Sequence, residues 1–142
     1  MLGSASAILG VALATASPAS HPTIDRYAEG KVWEYQTRPE DKGSLLKIQK
    51  IELLPSFSEK NGPVYHVSII GLHFADTHLD GALQHAPFSR ASLDASVTRL
   101  SQSRAAFPDV EAGIRQWREA KGGVFTITVA EAVNFAQQTM QR

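Results

Sequence analysis

Residues 64–74 read Val64-Tyr65-His66-Val67-Ser68-Ile69-Ile70-Gly71-Leu72-His73-Phe74, a run dominated by β-branched and aromatic side chains. Such residues suit a pleated, half-buried surface, which makes this the firmest strand of the chain. Immediately upstream, residues 55–63 (PSFSEKNGP) carry Asn61-Gly62 and read as a hairpin connection. Residues 44–54 (SLLKIQKIELL) then form the preceding strand. Leu46 and Ile48 share one parity and Ile51 and Leu53 the other, so a bulge near Gln49-Lys50 would bring all four to one face; a helix is the competing reading. Residues 31–38, with Val32, Trp33 and Tyr35, read as a first strand broken by the segment from Pro39 to Gly43. Three antiparallel strands in sequence order follow, and one face of them must be covered.

Downstream, residues 75–88 lack periodicity and read as a long loop. Ser89 then fits the N-cap of a helix carrying Leu93, Val97, Leu100 and Arg104 on one face, with Phe88 as a staple against Leu93. A second helix opens at Pro108 with Asp109 and Glu111 in its first turn, and Val110, Ile114 and Trp117 form its buried stripe. Gly122-Gly123 stops it. Residues 124–129 (VFTITV) read as a short strand leading into a last helix with Val129, Val133, Ala136 and Met140 on one stripe, and Thr128 with Glu131 forms a capping box. The expected fold is α+β: a mainly antiparallel sheet of about four strands packed on one face by two or three helices, in the order β-β-β-α-α-β-α. The strand at 124–129 would either pair beside the first strand or lie at a sheet edge and support a homodimer.

The 142 residues have room for one domain, placed at 20–142 behind a leader at 1–19. With 43% hydrophobic and 20% charged residues the composition is that of a globular chain. Lys plus Arg and Asp plus Glu both number 14, so the overall field steers neither nucleic acid nor an acidic partner. The absence of cysteine excludes disulfides, thiol nucleophiles and cysteine-based zinc sites. The leader, MLGSASAILGVALATASPA, is uncharged, too short in its apolar run for a stable membrane span, and ends in small residues that suit cleavage before Ser20 or Ser17. A signal peptide and a periplasmic or secreted destination are expected; a cytoplasmic location follows if the start is assigned too early or the segment is a disordered tail.

Reactive side chains concentrate in His66, His73, Asp76, His78, Asp80 and His85. A metal, if held, would take His73, Asp76, His78 and His85, yet the spacing matches no metal motif and no cofactor is called for. Ligand contacts are assigned to Tyr35, His66, Ser68, His73, His78 and His85, with His66, Ser68 and Tyr35 forming a polar patch if their strand face is open. Trp33, Phe57 and Tyr65 are candidate interface aromatics, although burial is the first expectation for Trp33 and Tyr65. Ser89 with His85 and Asp94 could be drawn as a nucleophile group, but its surroundings lack the glycine-flanked elbow. Glu34 and Glu52 would pair only across a cleft. The arginines at 90, 99, 104, 115 and 118 are interspersed with acids and lack stacking aromatics, which argues against nucleic-acid binding.

The runs Trp33-Glu34-Tyr35-Gln36-Thr37-Arg38, Tyr65-His66-Val67-Ser68-Ile69, His85-Ala86-Pro87-Phe88-Ser89 and Gly122-Gly123-Val124-Phe125 resemble a group of short bacterial proteins of uncharacterised function. That resemblance spans roughly residues 29–136; it implies a single domain and attaches no activity, cofactor or partner. The leading functional expectation is a small exported, non-catalytic protein-binding module of inhibitor or immunity type. A small-ligand module on the sheet face is the second, and a metal-dependent hydrolase using the histidine-rich loop the third.

Overall fold

In a computed structural model, residues 26–75 and 81–140 are described. The strands are β1 (Val32–Tyr35), β2 (Leu45–Glu52), β3 (Val64–Ile70), β4 (Leu83–Phe88) and β5 (Val97–Leu100); the helices are α1 (Phe57–Asn61), α2 (Arg90–Ser96), α3 (Glu111–Glu119) and α4 (Val129–Met140). All strands form one antiparallel sheet in the order β4-β3-β2-β1-β5. The α+β class therefore holds, with five strands where about four were expected and with helices on both faces of the sheet.

The β2–β3 ladder runs from Leu45 opposite Ile70 to Glu52 opposite Val64, and its register shifts between Ile48 and Lys50. That bulge lies where the change of apolar parity placed it, and it aligns Leu46, Ile48 and Ile51 with Ile69, Val67 and Tyr65. Leu53 lies beyond the strand and is 73% exposed, so the fourth residue of the predicted set does not join the core. The core face gathers Trp33, Tyr35, Leu46, Ile48, Tyr65, Val67, Ile69 and Phe88 under Leu93 of α2 and Val129, Ala132 and Val133 of α4. Full burial of each large side chain contributes about 1.5–3 kcal/mol. Tyr27 closes one end, packing edge-on against Trp33 and Tyr65 with ring centroids 5.5 and 5.3 Å apart.

Four local expectations change. The 55–63 connection is the short helix α1 instead of a bare hairpin turn, although it still returns the chain antiparallel. The predicted loop at 75–88 contains β4. Its lack of periodicity hid the strand; Pro87 is tolerated within it because β4 is an edge strand, where a missing N–H disturbs no inner ladder. The predicted helix from Ser89 to Arg104 ends at Ser96, and the β-branched pair Val97-Thr98 opens β5 because β1 offers it a partner. The predicted strand at 124–129 reduces to one parallel bridge, Phe125 to Phe88, in which Phe125 N donates to Pro87 O and Ser89 N donates to Phe125 O. It flanks β4, not β1, so it is not the free edge proposed for dimer formation; among the described residues no strand pairs with the outer side of β5. Ser89 does cap α2, accepting the Ser92 N–H, and Thr128 and Glu131 exchange the bonds of a capping box.

A buried ion pair ties the far end of the sheet to α4. Arg38, on the lead-in to a 3-10 turn at Pro39–Asp41, donates to Asp41 Oδ2 at 2.6 Å and to Asn134 Oδ1 and Gln137 Oε1 of α4. The Asp41 bond raises the Arg38 pKa above its ordinary value, fixing the charge. Asp41 is fully buried and also accepts the His73 N–H. Among the described residues no helix is long and apolar enough to cross a membrane.

Candidate functional site

Side chains alternate across β3, so Tyr65, Val67 and Ile69 enter the core while Val64, His66 and Ser68 face the other way. That second face is covered by α3 and the segment leading into it. Gln49, the bulge residue, donates to Ser68 Oγ and to Pro108 O; Ser68 Oγ lies 2.7 Å from Gln84 O and 3.1 Å from Pro108 O; Gln84 donates to Asp109 O. These bonds seat the lead-in to α3 on the sheet, beside the buried Val110 and Ile114.

At the centre lies a chain of three titratable groups. Glu52 Oε1 stands 2.9 Å from His66 Nε2, and His66 Nδ1 stands 2.8 Å from His85 Nε2. A carboxylate only accepts, so His66 donates from Nε2 and its Nδ1 carries a lone pair. His85 must then donate from Nε2, which leaves its Nδ1 as the basic end of the chain. Arg118 of α3 donates to the same Glu52 oxygen at 2.8 Å. The Trp117 ring meets His66 edge to face at 4.8 Å, and His66 and His85 stack at 5.0 Å. His66 is fully buried, and desolvation lowers its pKa despite the bond to Glu52. Desolvation, reinforced by His66, brings His85 down to about 4.

Two glycines make this packing possible. A Cβ on Gly113 would lie 2.5 Å from His85 Cβ, and one on Gly122 would lie 2.5 Å from Trp117 Cδ1. The Gly122-Gly123 stop thus does more than end α3: it folds the chain against the indole, whose Nε1 donates to Gly123 O.

Of the residues singled out from sequence, His66, Ser68 and His85 come together. Tyr35 lies on the opposite, core face, where it donates to Ser44 Oγ, whose own proton goes to Ile70 O; burial pushes its phenol up to about 12. His73 is exposed and sits beside Asp41, its Nδ1 3.8 Å from that carboxylate. Asp76, His78 and Asp80 lie outside the described residues. Among the described residues no three His, Asp or Glu side chains converge to hold a metal. Trp33 and Tyr65 are core residues, and Phe57 is half-buried in α1. Ser89 is occupied by capping and Asp94 accepts from the Tyr27 hydroxyl, so no nucleophile group forms with His85. Glu34 pairs with Arg99, well separated in role from Glu52.

Trp117, Arg118 and Gln49 were not singled out for the site. The signal that links His85 to His66 is register: Tyr65 opposite Phe88 and Val67 opposite Ala86 put His85 on the face of His66 and Ser68. It becomes readable only once β4 is taken as a strand. Compared with protein-family models, curated proteins and solved structures, the chain finds no match.

Proposed function

We propose that the chain is a protein-binding module whose contact surface is the corner where the end of β2, the start of α1 and the C-terminal half of α3 meet. The observation that carries this reading is a pair of adjoining depressions. One, of about 380 Å³, is lined by Leu53, Leu54, Pro55, Ser58 and Glu59; the other, of about 310 Å³, by Leu54, Trp117, Arg118, Lys121 and Gly122. They share Leu54, and Leu53 beside them is the most exposed large apolar side chain among the described residues. Trp117 and Arg118 are residue types that anchor interfaces, and the exposed apolar Leu53 adjoins them.

The two other readings have less support. A small-ligand site on the sheet face needs Tyr35, His66 and Ser68 around one opening, whereas Tyr35 is on the far face and His66 and Ser68 lie beneath α3. A metal-dependent hydrolase needs three of the clustered groups to converge. An inhibitor or immunity-type role outside the cytoplasm is part of the proposal and draws on the sequence of residues 1–19. Self-association through a sheet edge would use β5, which is four residues long and bulged against β1, features that blunt an edge.

The test is a photo-crosslinking amino acid placed singly at Leu53, Lys121 and Thr139 in the native host, with the processed N-terminus read by mass spectrometry. One discrete adduct from positions 53 and 121, absent at 139, is expected, on a chain beginning at Ser20 or Ser17. Equal labelling at all three positions, or none, refutes the surface; an unprocessed chain refutes export.

A further inference from the structure

We infer that α3 is a pH-operated latch: the neutral His66–His85 pair holds it on the sheet, and protonation of both imidazoles releases it. The geometry gives the reason. The pair is joined by one hydrogen bond of 2.8 Å, which needs a lone pair on His66 Nδ1. A first proton enters at His85 Nδ1 and leaves that bond intact. A second can enter only at His66 Nδ1, where it sets N–H against N–H and two cations in contact.

The groups around the pair allow little compensation. From β2, Glu52 is the single anion, and Arg118 of α3 already shares its Oε1; Lys50 of β2 is the cross-strand partner of His66 and adds a further positive charge. From α3 the pair meets the Trp117 indole and the close approach of Gly113, neither of which can neutralise a cation. What yields is the helix. Among its own residues α3 buries only Ile114, with Val110 just before it; Trp117 and Gly113 lie against the histidines, Arg118 bonds Glu52, and Gln49, Ser68 and Gln84 bond the Pro108 and Asp109 carbonyls of its lead-in. A segment held this way opens at a lower free energy than the core. By contrast α4 buries Val129, Ala132 and Val133 and is pinned by Arg38, so it has no reason to move with the histidines. The latch does not rest on the binding surface proposed above, but the two share Trp117 and Arg118, so its release would dismantle one wall of that surface.

Hydrogen exchange of the whole chain from pH 7.5 to pH 4, corrected for intrinsic exchange, tests the latch together with the Trp117 Nε1–H resonance, which is held by Gly123 O. Amides of α3 should lose at least about tenfold protection as pH falls while those of α4 keep theirs, and the indole signal should shift in step. His85→Gln retains an N–H for His66 and cannot take the first proton, so α3 should stay protected at pH 4. Should His85→Gln fail to fold, Glu52→Gln serves in its place: it removes the anion bonded to His66 and should move release to higher pH. The latch is overturned if α3 and α4 lose protection together, if α3 stays closed while both imidazoles titrate, or if neither variant shifts the release pH.

Discussion

The two faces of the sheet are covered in opposite ways. On one, α2 and α4 press Leu93, Val129 and Val133 onto Tyr65, Val67, Ile69 and Phe88, and the contact is mainly apolar, with polar bonds from Arg38 and Ser96 at its margins. On the other, Gln49, Ser68 and Gln84 bond the Pro108 and Asp109 carbonyls just before α3, Arg118 of α3 bonds the Glu52 carboxylate, and Trp117 meets the rings of His66 and His85. Apolar packing tolerates small shifts and fails as a whole when a large side chain is removed. A polar attachment depends on each partner and on protonation, so it can open alone. The lesson is that burial by itself does not equate the faces: His66 is as buried as Phe88, but its environment can be rewritten by two protons.

Removing a core ring tests the apolar side most severely. Phe88→Ala should cost about 3–5 kcal/mol of global stability in denaturant titrations, with every element lost together. A cost below about 1 kcal/mol would mean that α4 and β4 are not coupled as described. On the polar face, Gly113→Ala should lower stability by about 1–3 kcal/mol through the clash with His85, reversing the gain of about 1 kcal/mol that alanine normally gives over glycine within a helix. A stabilised variant would show that α3 sits further from β4 than 2.5 Å contact implies. Ser89→Ala should cost about 1 kcal/mol by removing the cap of α2, read by the same titration and without effect on α3.

The dependence of stability on pH should be smaller, because His85 is partly exposed and solvent screens it. The sign is fixed by direction. In the unfolded chain a histidine binds its proton near pH 6.5, whereas folded His85 waits until about 4. The unfolded state therefore takes up the proton first. The contribution of neutral His85 is complete above about pH 6.5 and is lost as pH falls towards 4. Urea midpoints measured across that interval should decline in the parent chain and less in His85→Gln; parallel declines would place the responsible proton elsewhere.

What could be read from the chain depended on range. The bulge at Gln49, the Ser89 cap and the Thr128–Glu131 box are written in a few adjacent residues and appear in the structure where they were expected. β4, β5 and the Phe125 bridge depend on partners far along the chain. A lack of periodicity disguised the first, a helical spacing from Leu93 to Arg104 disguised the second, and the short-strand reading of 124–129 promised more pairing than one bridge. For the site, His66 and His85 were both recognisable, but the step joining them is the β3–β4 register. Trp117 was correctly placed on the inner stripe of its helix, and nothing local said that a histidine would be its neighbour.

Ser96 carries a consequence for synthesis of the chain. Its carbonyl accepts from Gln36 just past β1, and its hydroxyl donates to Ser92 O in α2 and accepts from Val129 at the start of α4. During vectorial synthesis β1, β2 and β3 can pair as they emerge, and α2 can follow. The third of those bonds waits for residue 129. A nascent chain halted before that point would hold an assembled sheet whose apolar face still lacks its largest cover, and that half-finished surface is what a chaperone would meet.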